Sequence, residues 1–436
     1  MWRRSLALAL VLLGLCDATA GAQQRRALRD RIRELFSFGN CGQPLCLDGS
    51  VSAANGHGDH FLPDFAAGNA TLIGFLADAI AINASNLPLS ASGSGETFKF
   101  VGGLPVKTST SFGPVYGERA QTLGRGRFVV GANLTGIHFS SLRGVPLDEL
   151  ILNFTHSDVP GVGQPGLGDP EKENDIIQVR LDLNVNLLVS TLFATYGLSD
   201  DVDLSVAVPL VHTSLQGRSV AQIYPFGGPT AVHFFTGTPS DPGLAATAAT
   251  FGSHTGLGDV VLRVKARLHP SERVGVSVLG DARLPTGSEE DLSGSGNLAL
   301  RGFAIASGRF GDFSPHLNLG FVWRGGRVRN EAVLFNAGFD QPVSPWATLA
   351  VDLLSEWELG ASGLVLPGQV TIQYPFIRTV DPTNLPNLKD HRINGSLGFK
   401  FRTPGGPIVV TNALVPLRRG GLQANVVWTV GLDLNF

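Results

Sequence analysis

Residues 422–436 read LQANVVWTVGLDLNF, and every even-numbered position in this stretch is apolar. Because side chains alternate between the two faces of a β-strand, these apolar residues would share one face, with Gln423, Thr429 and Asp433 on the other. A strand of this length is roughly three times as long as an ordinary strand of a soluble sheet. The stretch by itself fits a half-buried strand of a soluble sandwich or a membrane-spanning strand.

The composition favours one large closed sheet over two or three soluble domains. The chain has 436 residues with 55 glycines, and only 16% of its residues are charged. Its apolar content of 43% contains no run long enough to cross a membrane as a helix. The net charge of −3 gives no indication of a nucleic-acid partner.

The first residues have the order of a secretory signal peptide. Arg3 and Arg4 precede an apolar run over residues 6–15, which is followed by the small residues 20–22. This order predicts a signal peptide over residues 1–22 that is cleaved after Ala22. The apolar run is too short to serve as a membrane anchor.

The three cysteines fit an exported protein. Cys16 would leave with the signal peptide, because the bulky Leu15 before it disfavours lipid modification. The remaining pair, Cys41 and Cys46 in CGQPLC, is predicted to form a small disulfide loop. A zinc site is the weaker interpretation, because two thiolates do not fill a tetrahedral zinc shell.

Alternation with period two recurs throughout residues 125–436. It predicts twelve strands, with fourteen as the alternative; the twelve lie near residues 126–141, 175–197, 202–220, 256–269, 273–286, 297–309, 314–324, 331–341, 345–359, 390–403, 407–417 and 422–436. The fold class predicted is therefore all-β, a closed antiparallel transmembrane β-barrel of the bacterial outer membrane.

The connections between these strands fall into two classes. LSDD, PSE, FGDF, QPV and TPGG are short, whereas long segments rich in Gly, Pro and Ser lie near residues 142–174, 221–255, 287–296 and 360–389. Short turns at one end and mostly long loops at the other are typical of outer-membrane barrels, with the short turns in the periplasm. An even strand number also places both ends of the barrel there. Phe436 would then lie at the periplasmic rim, where a terminal aromatic residue resembles the signal by which the barrel-assembly machinery recognises its substrates.

Residues 23–124 differ in character from the barrel region. RRALRDRIRELF and TLIGFLADAIAIN have apolar residues at helical spacing or as a continuous run, and the rest of the region is irregular. This partly helical region is predicted to be a plug inside the barrel or a cap on its periplasmic side, and the two alternatives remain open.

Three stretches resemble a known family. YGLSDDVDLSVAVPLV (residues 196–211), TGLGDVVLRVKARL (255–268) and ARLPTGSEEDLSGSG (282–296) resemble the bacterial family named for the MetA pathway of phenol degradation. The resemblance covers residues 125–436 and implies an outer-membrane barrel that transports small hydrophobic or aromatic molecules, with a looser likeness to barrels that take up fatty acids and toluene. It carries over no binding or catalytic residues.

Charged residues on the polar faces of the strands are predicted to point into the lumen. They are Arg180, Asp182, Asp259, Arg263, Lys265, Arg267, Asp281, Arg283, Arg301, Arg324, Asp352, Glu356, Arg392, Lys400 and Arg402. Either they pair with one another or with a plug and hold the wall together, or they form a constriction that selects solutes. A turn that pairs His269 with Arg273 would set Asp259 opposite Arg283.

No catalytic set, cofactor or metal is indicated. HGDH at residues 57–60 offers too few ligands for a metal, and Ser314, His316 and Ser205 form no recognisable triad. The sequence therefore predicts a channel or diffusion-type transporter, with outer-membrane lipid, the assembly machinery and a small solute as partners. A structural or surface-interaction barrel with a sealed lumen is the first alternative, and a membrane-embedded hydrolase is the second.

Overall fold

The computed structural model describes residues 26–38, 63–85, 91, 98–101, 104–107, 111–155, 175–225, 234–238, 240–269, 273–326, 330–372 and 376–436. The predicted signal peptide, the Cys41–Cys46 pair and the HGDH stretch lie outside these residues. None of the described helices combines the length and apolar character needed to cross a membrane.

Two helices and 21 strands make up the regular structure of the described residues. The helices are α1 (Leu28–Glu34) and α2 (Pro63–Ser85). In chain order the strands are β1 (Phe98–Val101), β2 (Leu104–Lys107), β3 (Phe128–Leu142), β4 (Val145–Pro146), β5 (Leu150–Thr155), β6 (Ile176–Gly197), β7 (Val202–Tyr224), β8 (Thr236–Thr238), β9 (Asp241–Gly243), β10 (Ala245–Leu257), β11 (Val261–His269), β12 (Val274–Arg283), β13 (Ala299–Gly308), β14 (Ser314–Arg324), β15 (Ala332–Ser344), β16 (Ala347–Glu358), β17 (Val370–Ile372), β18 (Arg378–Val380), β19 (Arg392–Arg402), β20 (Ile408–Pro416) and β21 (Leu422–Asn435).

Twelve of these strands close into an antiparallel barrel, and each of them matches one of the predicted strands. The order around the barrel is β3, β6, β7, β11, β12, β13, β14, β15, β16, β19, β20 and β21. The last strand pairs with the first, for example Val430 with Leu134. Closure leaves no unpaired strand edge in the hydrocarbon, where an unpaired backbone group is costly.

The outward side chains form an apolar belt around the barrel. On β14, Leu317, Leu319, Phe321 and Trp323 are between 40% and 55% exposed, while His316 and Asn318, which alternate with them, are buried. Aromatic residues lie at both ends of the belt, with Trp346 stacked on Phe401 at the short-turn end. This arrangement is that of an outer-membrane barrel, with aromatic girdles at the two interfaces.

Two strands are much longer than a membrane requires. β6 has 22 residues and β7 has 23, whereas about 9–11 tilted residues suffice to cross the bilayer. The halves of β6 and β7 on the long-loop side, called the upper halves, extend the barrel wall beyond the apolar belt. β10 extends this wall by pairing with β7, from Ala245 opposite Gln222 to Leu257 opposite Leu210.

In the external half of β6 the side chains point the opposite way from the sequence prediction. Val179, Leu181 and Leu183 are at most 4% exposed, while Arg180 and Asp182 are exposed on the outer surface. Lower on the same strand the outward residues are apolar, as at Leu188 and Leu192. The apolar face turns inward above the membrane because the outer surface there meets water and the inner surface packs against α1 and α2.

The terminal strand also changes face part-way along its length. Trp428, Val430 and Leu432 point outward as predicted, but Leu422 and Ala424 are buried on the inner side. The cause is a β-bulge, since Ala424 pairs with Phe139 and the next paired residue, Val427, pairs with Ile137. Extra residues in one strand shift the side-chain alternation by their number and disrupt the ladder locally.

Candidate functional site

Residues 111–123, called the inner segment, cross the short-turn half of the lumen. The segment begins beside β15 and β16, where the Phe112 amide donates to Thr348 Oγ1 over 3.0 Å. It ends beside β7, where the Leu123 amide donates to both carboxylate oxygens of Asp203. All but two of its residues are buried, so this stretch of the N-terminal region lies inside the barrel.

Glu118 joins the inner segment to the barrel wall through a buried ionic network. Its carboxylate accepts from Arg263 over 2.8 Å and from Lys265 over 3.0 Å. Arg263 also contacts Asp281 at 3.3 Å, and Asp281 accepts two hydrogen bonds of 2.8 Å from Arg301. Four of the predicted lumen residues therefore meet around one carboxylate of the inner segment.

Two further carboxylates of the wall hold the inner segment. Asp340 accepts from Arg119 and from the hydroxyl of Ser111, with Arg119 Nε at 2.8 Å. Asp352 accepts from the Tyr116 amide over 3.4 Å and pairs with His316 over 2.7 Å.

Gly117 passes directly over the His316–Asp352 pair. A Cβ atom at this position would overlap His316 Nε2 and lie 2.5 Å from Asp352 Oδ1. The absence of a side chain therefore allows the backbone to approach the pair so closely.

The other charged residues predicted for the lumen lie outside the Glu118 network. Arg324 pairs with Glu356 at 2.6 Å, Lys400 lies 3.8 Å from Asp433, and Arg402 lies over the Phe112 ring. Arg283 is buried, and Arg392 is partly buried at the external end of β19. Arg267 pairs with Asp201 at the periplasmic turn after β6.

Asp259 corrects another prediction. It lies in the break between β10 and β11, where it accepts from the amides of Gly287 and Ser295 over 3.0 and 2.9 Å. Arg283 instead pairs in the ladder with Val261, because His269 lies opposite Val276 and not opposite Arg273. Asp259 therefore fixes the external loop after β12, and the cross-strand ion pair is Arg263–Asp281.

Above the inner segment lies a cavity of about 180 Å³, called the chamber. Asn83 of α2 lines it on the external side, and Tyr116 and Glu118 line it on the periplasmic side. One wall is apolar and is formed by β3, β20 and β21; it includes Ile137, Phe139, Leu414, Leu422, Ala424 and Val427. The opposite wall, from β11 to β16, is mixed, with the polar residues Arg263, Arg301, Asn318 and Glu356 among the apolar residues Leu279, Phe303, Leu334 and Leu354.

On the external side, α2 lines the chamber through Asn83, and α1 packs between α2 and the barrel wall. Leu35, which follows α1, packs against the inner face of β7 at Gly217, and Arg29 of α1 bridges Asp78 of α2 and Glu289 of an external loop. Glu34 hydrogen-bonds to Arg26 and Thr250. Burial opposes ionisation of Glu34, but these hydrogen bonds hold its pKa below the ordinary value.

The sequence interpretation missed the residues that the inner segment contributes. Tyr116, Glu118 and Arg119 lie in an irregular stretch without periodicity, so no pattern assigned them a direction. The only available signal was the Glu118–Arg119 charge pair within a stretch that has few other charges. Among the described residues, no cluster of three or more His, Cys, Asp or Glu side chains could hold a metal ion.

Comparison with known proteins matches part of the chain to one protein family. Residues 167–370 match the family model described as "Putative MetA-pathway of phenol degradation". The resemblance found in the sequence is thereby confirmed. The matched residues begin before β6, end at the first residue of β17 and include the Arg263, Lys265, Asp281 and Arg301 cluster. No curated protein sequence matches the chain.

Several solved structures are similar to the barrel at low sequence identity. The COG4313 outer membrane channel from Pseudomonas putida F1 has a TM-score of 0.40 and 13% identity, covering 73% of this chain and 98% of that one. A FadL homologue from Pseudomonas aeruginosa has a TM-score of 0.29 and 11% identity, covering 71% and 89%. A TodX mutant, described as a monoaromatic hydrocarbon channel, has a TM-score of 0.31 and 8% identity, covering 72% and 90%.

Proposed function

We propose that the protein is an outer-membrane channel for small hydrophobic or aromatic molecules and that the chamber is the solute site on its path. The observation that carries this proposal is the chamber itself, which joins an apolar wall to a wall of mixed apolar and polar residues within the lumen. An apolar protein cavity of about 150 Å³ is large enough to bind benzene. The chamber, at about 180 Å³, has room for a single-ring solute.

The two walls suit different parts of such a solute. Phe139 and Leu414 offer a surface for an aromatic ring, and the Arg301 and Asn318 side chains offer hydrogen-bond donors to a ring substituent. The matched family concerns phenol degradation, which is consistent with a solute of this kind.

The sealed barrel is the second candidate, because the inner segment crosses the periplasmic half of the lumen. Its ionic anchors would have to separate before a solute could pass towards the periplasm. We infer that the inner segment acts as a movable plug, and that the charges of the network hold it in place rather than select solutes. We infer also that Phe436, which is 75% exposed and bonded through its amide to Phe128, serves the assembly machinery.

Filling the chamber tests the proposal. Replacing the chamber residue Leu354 by tryptophan is expected to lower toluene uptake several-fold, because the larger side chain occupies the space that the solute needs. Uptake is measured in Gram-negative cells that produce the protein, against cells with an empty vector. The adjacent Leu353 points outward and is 38% exposed, so Leu353→Trp is the matched control and should leave uptake unchanged. Equal uptake by the two variants would remove the chamber from the path, and uptake no faster than in vector cells would favour the sealed barrel.

A further inference from the structure

Three asparagines lie in one row across the inner face of the barrel, at the level of the chamber. Asn318 of β14 pairs with Asn336 of β15, Asn336 pairs with Leu354 of β16, and Leu354 pairs with Asn394 of β19. Residues that lie directly opposite each other on neighbouring strands share a face of the sheet. All four residues accordingly line the chamber, with one leucine between two of the amides.

Asn318 differs from the other two asparagines in what it binds. Its side chain accepts from the Glu118 amide over 2.9 Å and donates to the Glu118 carbonyl oxygen over 2.8 Å, so it holds the inner segment. Asn336 and Asn394 are half-buried, and neither side chain has a hydrogen-bond partner among the residues that the structure describes. These two amides are therefore free to bind a molecule in the chamber.

An amide that faces a cavity needs a partner from inside that cavity. Polar groups that leave bulk water without a hydrogen-bond partner cost free energy, and nearly all buried polar groups in folded proteins have one. The barrel ladder uses only the backbone of Asn336 and Asn394, so their side chains contribute nothing to strand pairing. Their partners are the contents of the chamber, either water or a solute.

The chemistry of the two amides favours a hydroxyl group on the solute. Each amide is neutral and carries both a hydrogen-bond donor and an acceptor. A phenolic hydroxyl also donates and accepts, so it can replace the water at an amide. A plain hydrocarbon would displace that water and leave the amide unpaired, which is unfavourable.

The spacing of the amides selects where the polar groups lie on the ring. Asn336 and Asn394 lie two strands apart, which corresponds to about 10 Å between their backbones. The curvature of the barrel brings the ends of their inward side chains closer together. A benzene ring with hydroxyls at opposite ends can bond to both amides while its face packs on Leu354. Hydroxyls on adjacent ring carbons reach only one amide at a time.

We propose that Asn336, Leu354 and Asn394 form a clamp that selects aromatic molecules with hydrogen-bonding groups at opposite ends of one ring, such as 1,4-dihydroxybenzene. This inference rests on the proposed channel function, since it specifies which aromatic solutes the chamber prefers. The ring lies on Leu354, and each amide binds one of the two polar groups.

Positional isomers of dihydroxybenzene test the clamp, because they contain the same atoms and the same polar groups. Binding is measured by isothermal titration calorimetry on the purified protein in detergent micelles, under argon to keep both isomers reduced. The heat recorded with Leu354→Trp is subtracted, which removes binding to micelles and to the outer surface. We expect the 1,4-isomer to bind about 10-fold more tightly than the 1,2-isomer, because it pairs a second amide.

The outcomes separate the clamp from the channel function. Equal affinities of the wild type for the two isomers would refute the clamp and leave the chamber as a solute site. Binding of neither isomer above the level of Leu354→Trp would overturn both the clamp and the proposed solute site.

Single exchanges identify the residues of the clamp. Asn336→Leu keeps a similar volume and removes both hydrogen-bonding groups, so it should lower the affinity for the 1,4-isomer about 10-fold. The affinity for the 1,2-isomer should change little, because that isomer can bind Asn394 alone. Asn394→Leu should show the same pattern.

The matched control is Asn184→Leu, the same exchange at an exposed position on the outer surface of β6. It should leave both affinities unchanged. An equal loss of affinity for both isomers in Asn336→Leu and in Asn394→Leu would contradict the clamp, since the two asparagines would then shape the chamber without distinguishing its solutes.

Discussion

Glu118→Ala is expected to raise the open probability of the barrel in planar bilayers by about 100-fold. Arg263 and Lys265 would lose the carboxylate that they share, which lies at 2.8 and 3.0 Å from them. Removing one partner of a buried ion pair costs about 3–5 kcal/mol, and water entering from the chamber brings the cost towards the lower limit. Because the barrel ladder does not depend on Glu118, we expect the inner segment to detach while the barrel stays folded.

Two variants control this prediction. Asp201→Ala removes the Arg267–Asp201 pair at the periplasmic turn, where the Asp201 side chain is 57% exposed. This variant should leave the open probability unchanged, because exposed ion pairs contribute about 0–1 kcal/mol. Glu118→Gln keeps the shape and a hydrogen-bond acceptor, so its effect should be intermediate. An open probability of Glu118→Ala equal to that of the wild type would show that the inner segment is not held by this network.

Leu183→Ala is expected to lower the free energy of unfolding by about 2–5 kcal/mol, the usual cost of removing a buried leucine. Its side chain is 4% exposed beneath Leu35, which follows α1. The neighbouring Asp182→Ala should change the free energy of unfolding by less than about 0.5 kcal/mol, because the Asp182 side chain is exposed. Denaturant unfolding in detergent micelles measures both. A reversed order would mean that Asp182, and not Leu183, faces the interior.

Most of the barrel could be predicted from the sequence because its physical cause is local. Alternation and turn length are properties of consecutive residues, and they placed all twelve barrel strands within a few residues of their bounds. Closure followed from the cost of an open edge in hydrocarbon. The family resemblance added the outer-membrane setting on independent grounds.

Which face of a strand points into the barrel was harder to predict, because it depends on what covers each surface. Leu183 and Leu319 have the same alternating surroundings, yet the first points to the inside and the second to lipid. Alternation states that two faces differ and leaves open which of them is inside. The side-chain direction in β6 depends on the packing of α1 and α2. The direction of Leu422 depends on a bulge that no residue pattern predicts.

The candidate site was predicted only in part, since its charges come from two regions of the chain. Arg263, Asp281 and Arg301 were expected in the lumen and do meet there. Their partner Glu118 lies about 145 residues before Arg263, in a stretch without secondary structure. Contacts of this kind are set by the threading of the inner segment, which local sequence patterns do not encode.

The most direct test of the channel account is a crystal structure of the protein soaked with 4-bromophenol, with anomalous diffraction recorded at the bromine edge. The account predicts a bromine peak in the chamber, between Phe139, Leu354 and Tyr116, which is lost in Leu354→Trp and kept in Leu353→Trp. Bromine found only on the outer surface of the barrel, in a protein that takes up the same solute, would contradict it.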